Sequence, residues 1–120
     1  MYAVFGMTEM LARKRVKVDG FEKGKPKPLS QIRSEINTKV ERMMAGTRTE
    51  QLSTVYGVTS CAFQFAELAC RQGGVRIEVR RRVADGEPVF DKKKKAYVQR
   101  YTWEQVKAFA PAGKQHADCA

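Results

Sequence analysis

Between Val75 and Tyr101 the chain sets nine basic side chains against four acidic ones, with Tyr97 and Tyr101 among them. In the stretch Val75-Arg76-Ile77-Glu78-Val79-Arg80-Arg81-Arg82-Val83, strict alternation gives one face to Val75, Ile77, Val79 and Val83 and the other to Arg76, Glu78, Arg80 and Arg82. Arg81, Lys92, Lys93, Lys94, Lys95 and Arg100 add to the same local field. A guanidinium holds two phosphate oxygens at once, a lysine neutralises a phosphate as a point charge, and a tyrosine ring stacks on an unpaired base. The chemistry implied is therefore the gripping of a polyanion, with affinity that falls steeply as salt rises. A solvated sheet face with a charged tip that discourages edge pairing explains a single arginine here. It explains nine basic groups in so short a segment less well. The loop lysines Lys23, Lys25 and Lys27 could extend the patch or simply keep their own loop solvated.

Bond-making chemistry finds little to work with. His116 is the only histidine, the acidic residues are scattered, and Asp85 and Glu87 belong to a turn. Gly73-Gly74 follows a helical stretch instead of preceding one, which is the wrong order for a phosphate-cradling loop. Of the three cysteines, Cys61 and Cys70 would stand about 13 Å apart along a helix, beyond disulfide reach. No cysteine pair has metal-finger spacing. The cysteines read as two small buried apolar residues and, at Cys119, one on a loose tail. The expectation is a protein that is not an enzyme and needs no cofactor and no metal.

A chain of 120 residues has room for one domain, and a net charge of +10 exceeds what solubility requires. The excess is +4 over residues 1–30, +1 over 31–74, +5 over 75–101 and zero over 102–120. Charge gathered toward the two ends leaves the middle to build the core. No apolar run reaches the roughly 18 residues of a membrane span. The apolar start, Met1 to Met7, lacks the basic stretch of a secretory signal and is soon interrupted by Glu9. A cytoplasmic, unprocessed protein is expected.

The elements that would position these groups follow from periodicity and caps. Tyr2 to Val18 reads as strand character at both ends, with Thr8 able to cap a short helix between. Asp19 to Pro28 is a glycine- and proline-rich loop. Ser30 caps a helix to Ala45, in which Ile32, Ile36, Val40 and Met43 form one stripe and Gly46 is the stop. Thr47 with Glu50 has the form of a capping box for a short helix from about residue 48 to 56. Thr59 or Ser60 caps a third helix, Cys61 to Gln72. Val75 to Val83 is the best strand, Asp85-Gly86 its turn, and the return runs from Val89 to Tyr101, bent around Lys92 to Lys95. Thr102 and Gln105 form another capping box, for a short last helix that turns Trp103, Val106 and Phe109 to the core.

The stretch from Thr49 to Phe63 resembles a helix-turn-helix signature. Ser53 is the small residue four before the turn glycine Gly57, and Val58 and Thr59 follow as apolar residue and hydroxyl cap. By element order, about seventy residues resemble a winged helix-turn-helix DNA-binding domain. The resemblance implies that the second helix enters a major groove with Ser60, Cys61 and Gln64 toward base edges. Against this, Ser60 to Gln72 has no basic residue before Arg71, and Phe63 and Phe65 give it the look of a core helix. A plain buried helical pair over 48–72 fits the same residues.

Together these readings give an α+β fold. A single compact domain spans 1–111, with a helical middle at about 30–72, a basic β-hairpin at about 75–101, a short C-terminal helix and a disordered tail at 112–120. The function expected is that of a small nucleic-acid-binding protein, a DNA-binding regulator or accessory factor, with DNA favoured over RNA. A homodimer is compatible with it. The site residues are Arg76, Arg80, Arg81, Arg82, Lys92, Lys93, Lys94, Lys95, Tyr97 and Arg100 on the hairpin, with Ser60 and Gln64 on the reading helix. The competing reading is a non-enzymatic inhibitor or adaptor that occupies an acidic or nucleic-acid-binding surface of a partner protein, anchored by aromatics such as Phe21, Tyr97 or Tyr101.

Overall fold

The computed structural model describes residues 1–110. It is a mixed α and β chain in the order β1 (Tyr2–Met7), α1 (Glu9–Arg15), β2 (Phe21–Glu22), β3 (Lys25–Pro26), α2 (Leu29–Ala45), β4 (Glu50–Gln51), α3 (Thr59–Arg71), β5 (Val75–Ala84), β6 (Val89–Asp91), β7 (Ala96–Val98) and β8 (Tyr101–Ala108). The central sheet is antiparallel in the order β4-β1-β5-β8, while β2–β3 and β6–β7 are separate two-stranded hairpins. The tail expected at 112–120, with His116 and Cys119, lies outside the described residues.

The core sits between the sheet and α3. Ala62, Ala66, Ala69 and Cys70 recur at helical spacing and are buried against Val4, Ile77, Val79 and Phe109. Small side chains on the helix let it lie close to the branched residues of the strands, where area removed from water is the main stabilising term. A second cluster, Met7, Ala12 and Val40, joins α1 and α2 at one end of the sheet, with Ile36, Met43 and Val75 around it. Thr8 caps α1 by accepting the Leu11 N–H at 3.2 Å. Gly6, at φ +156°, lies where a Cβ would stand 2.6 Å from Ile77 Cδ1. That Cβ would also stand 3.0 and 3.1 Å from the Val75 and Arg76 carbonyl oxygens, so a side chain there would crowd Ile77 and the β5 backbone together.

Several expectations are corrected. Residues 48–58 form no helix; Glu50 and Gln51 pair with β1 instead. Ser53, expected where two helices approach, is buried beside β1. Its hydroxyl accepts the Val4 N–H at 2.9 Å and donates to the Thr54 carbonyl at 2.8 Å. Leu52 and Tyr56 continue that edge through backbone bonds to Val4 and Tyr2. The unpaired β1 edge outcompetes the local capping box because it offers this segment a ladder of backbone partners. The helix-turn-helix therefore has no first helix, and Gly57 needs no positive φ.

The C-terminal helix is also absent: 101–108 is β8, the partner of β5. Residues 89–98, expected to be the return strand, fold on themselves as β6–β7. Residues 16–18, expected to be strand, are not, and α2 begins at Leu29 behind Pro28, with no Ser30 cap.

Candidate nucleic-acid interface

Cross-strand register divides the sheet residues into two sets. Val4 lies opposite Val79 and belongs to the α3 side, so its neighbours Ala3 and Phe5 belong to the other. Ala3 faces Arg80, Phe5 faces Glu78, Arg82 faces Trp103, Arg80 faces Gln105 and Ala84 faces Tyr101. One face thus gathers Phe5, Arg80, Arg82, Tyr101, Trp103 and Gln105 in neighbouring rows. Of the helices, α3 packs on the opposite side, while α1 and α2 meet the sheet at its Met7 and Val75 end, several residues along β5 from Arg82.

On this face the cations lie on rings. The Arg80 guanidinium carbon sits 4.3 Å from the Phe5 ring centroid, and that of Arg82 sits 4.4 Å from Tyr101. Trp103 meets Phe5 edge to face at 5.1 Å. Phe5 is buried under these neighbours, Trp103 is half-buried and Tyr101 is half exposed. Arg80 also bonds Glu78 and donates to Thr49 Oγ1 at 3.3 Å. These bonds hold Arg80 in place, while Arg82 has no carboxylate partner among the described residues. A flat guanidinium on a ring presents a charged, stackable surface to a base or a phosphate.

Arg76 does not share this face. Its backbone turns to φ +53°, and its guanidinium reaches the end of α2 and the segment beyond. There it donates to the carbonyls of Met44 at 2.6 Å, Met43 at 2.9 Å and Arg48 at 3.0 and 3.1 Å. The Met43 and Met44 carbonyls lie at the negative end of α2, where Met43 also accepts the Gly46 N–H, and a fixed cation there helps close the C-terminus. Alternation along β5 failed at this residue because the helix end offered a better partner than solvent.

The remaining residues scatter in an orderly way. Arg81 lies on the α3 side and pairs with Glu104 at 3.1 Å. Lys92, Lys93, Lys94 and Lys95 form the exposed turn of β6–β7, and Tyr97, on β7, is the most exposed ring of the described chain at 75%. Arg100 is exposed at the base of that hairpin. Ser60 and Gln64 are exposed on α3, across the sheet from Arg80 and Arg82, so they do not join the arginine face. Cys61, expected to be buried, is exposed at the start of α3. Cys70 is fully buried, and burial, with Glu67 nearby, raises its thiol above the ordinary range.

Trp103, Phe5 and Gln105 were missed as face residues. Their signal was available: Tyr101, Trp103 and Gln105 alternate with Thr102 and Glu104 at strand period. The apparent capping box hid it. Among the described residues no group of His, Cys, Asp and Glu side chains could hold a metal ion, and no helix is long and apolar enough to cross a membrane. Comparison with protein-family models, with curated proteins and with solved structures finds no match to this chain.

Proposed function

We propose that this protein binds single-stranded nucleic acid across the arginine-bearing face of its sheet. The observation that supports the reading is the pairing of Arg80 on Phe5 and Arg82 on Tyr101 on either side of Trp103, where Tyr101 is half exposed. Unpaired bases stack on aromatic rings and guanidinium planes, and the same arginines neutralise phosphates. A net charge of +10 draws a polyanion to the surface from a distance. Major-groove reading has no comparable support: the segment 48–56 just before α3 is not a helix that could form the motif, and the one basic side chain of α3 is Arg71 in the last turn.

Trp103 is the only tryptophan of the chain and sits inside the proposed site. Its fluorescence should be quenched on titration with single-stranded oligonucleotides, DNA and RNA in parallel, at roughly 50 and 200 mM salt. The expected result is salt-sensitive binding of single strands, weaker binding of duplexes, and a loss of about fivefold or more when Arg82 and Tyr101 become alanine. No binding of any nucleic acid above that of an unrelated protein of equal charge would overturn the reading. The search would then turn to an acidic protein partner.

A further inference from the structure

The β6–β7 hairpin has no role in the core. Its two strands pair with each other, Val89 with Val98, Phe90 with Tyr97 and Asp91 with Ala96, outside the central sheet. It leaves the end of the β5–β8 ladder through a closed neck. Asp85 N–H donates to the Arg100 carbonyl at 2.8 Å, and Gln99 Nε2 donates to the carbonyls of Gly86 and Arg100 at 3.0 Å.

Beyond the neck, Val89, Phe90 and Tyr97 are 45%, 50% and 75% exposed. Phe90 and Tyr97 pack only on one another in aromatic contact, edge to face at 5.4 Å. The tip is rigidly made: Asp91 Oδ1 accepts the N–H of Lys93 at 2.8 Å and of Lys94 at 3.4 Å, and Lys95 closes the turn at φ +53°. This occupies the nearest carboxylate in a backbone turn, and none of Lys92 to Lys95 forms an ion pair among the described residues. Beside the rings is a shallow cleft of about 290 Å³ lined by Val89, Phe90, Asp91, Lys92, Val98 and Arg100. Holding apolar surface in water on an element without a core has a cost that only a covering partner recovers.

We propose that this arm is a second contact for the same nucleic-acid strand, with the exposed rings of Phe90 and Tyr97 stacking on a base and Lys92, Lys93, Lys94, Lys95 and Arg100 taking its phosphates. The proposal rests on the sheet-face reading and deepens it. Continuity favours it: Tyr101, under Arg82, is in the last ladder pair before the neck, so the face leads directly into the arm. From Arg80 to Ala84 the face spans about 13 Å, and the arm extends the track by roughly 20 Å more. Strand length should therefore matter. A short oligonucleotide fills the face alone, and a longer one reaches the arm.

The test uses the full chain, the wild type beside a variant with Lys92→Gln, Lys93→Gln, Lys94→Gln and Lys95→Gln, and a second variant with Phe90→Ser and Tyr97→Ser. Each is titrated with thymidine oligomers of about 4 and about 16 nucleotides while Trp103 fluorescence is followed. For the long oligomer the lysine variant should lower the slope of log affinity against log salt by about 3. The ring variant should weaken long-oligomer binding about fivefold or more. Both should leave short-oligomer binding and the extent of Trp103 quenching unchanged. An unchanged slope and affinity for the long oligomer would overturn the arm while leaving the sheet face standing. Wild-type protein that binds neither oligomer would overturn both. Binding of phosphatidylserine vesicles that is lost in both variants, with oligomer binding unaltered, would reassign the arm to an anionic membrane surface and overturn the proposal.

Discussion

On one side of the sheet Val4, Ile77 and Val79 close against the alanines of α3; on the other, Phe5 and Tyr101 meet arginine, with Trp103 against Phe5. Alternate residues of the same strands build both sides, so backbone propensity cannot explain the difference. It lies in the side chains. The first face is apolar and shut, and its free energy comes from area removed from water. The second is amphipathic: its rings are partly shielded by cations that cost little to uncover. A surface of that kind is stable alone and still exchangeable for a charged, stacking partner.

The largest expected effect lies on the closed face. Ile77→Ala leaves a cavity under Gly6 and Gly74 and should destabilise the fold by about 2–5 kcal/mol, read as a lower urea midpoint. The protein that remains folded should bind oligonucleotide with its original affinity. A loss of affinity without loss of stability would break the division between the faces.

Arg76 lies on the same strand but serves neither face, and it is the next most sensitive residue. Arg76→Ala removes the charged donor from the carbonyls of Met43, Met44 and Arg48, leaving Met43 only the Gly46 N–H, and should cost about 1.5–3 kcal/mol of stability. The salt slope of nucleic-acid binding should move by less than the ~0.7 expected for one phosphate contact on a single strand. Trp103→Ala should do the reverse, weakening single-strand binding by about 1–3 kcal/mol, measured by anisotropy of a labelled oligonucleotide. Its effect on the urea midpoint should be smaller than that of Ile77→Ala, because Trp103 is only half-buried.

These pairs also show what a reader of the sequence could know. The helices at 29–45 and 59–71 were visible because their apolar stripes recur every three or four residues, and β5 was visible because Val75, Ile77 and Val79 recur every two. What failed was local signal in competition with distant partners. Thr47 with Glu50, and Thr102 with Gln105, are sound capping boxes. Yet the edges of β1 and β5 stood unpaired, and the segments beside them satisfied those edges instead. A backbone bond between residues 48 positions apart, from the Leu52 N–H to the Val4 carbonyl, leaves no trace in a short window. The basic character of the 75–101 region was plain from composition. Its partition among a helix end, a sheet face and a projecting arm depended on a positive φ at Arg76 and on where β8 begins, neither of which alternation encodes.

The two cysteines of the described chain extend the comparison to α3. Cys61 should react at once with a thiol reagent, and Cys70 only when the fold opens. Because Cys70 holds its proton more tightly folded than unfolded, its contribution to stability is whole below the ordinary thiol range. As pH rises through that range toward the raised folded value, the unfolded chain ionises first and the contribution drains away. A Cys70→Ala variant should therefore lose less stability than wild type between neutral and strongly alkaline pH, measured by urea midpoints.

The smallest effect is expected at Arg81, and it is the sharpest control. Arg81 stands between Arg80 and Arg82 in sequence but on the other side of the sheet, paired with Glu104 while both side chains are about half exposed. An ion pair so open to solvent contributes about 0–1 kcal/mol, so Arg81→Ala should barely move the urea midpoint. If net charge alone drew nucleic acid, Arg81→Ala and Arg82→Ala would weaken binding equally, since each removes one positive charge. If the face does the binding, Arg82→Ala should weaken it severalfold and Arg81→Ala should stay near wild type, because only Arg82 lies on a ring beside Trp103. Equal losses would mean that the protein binds through its field and not through its face.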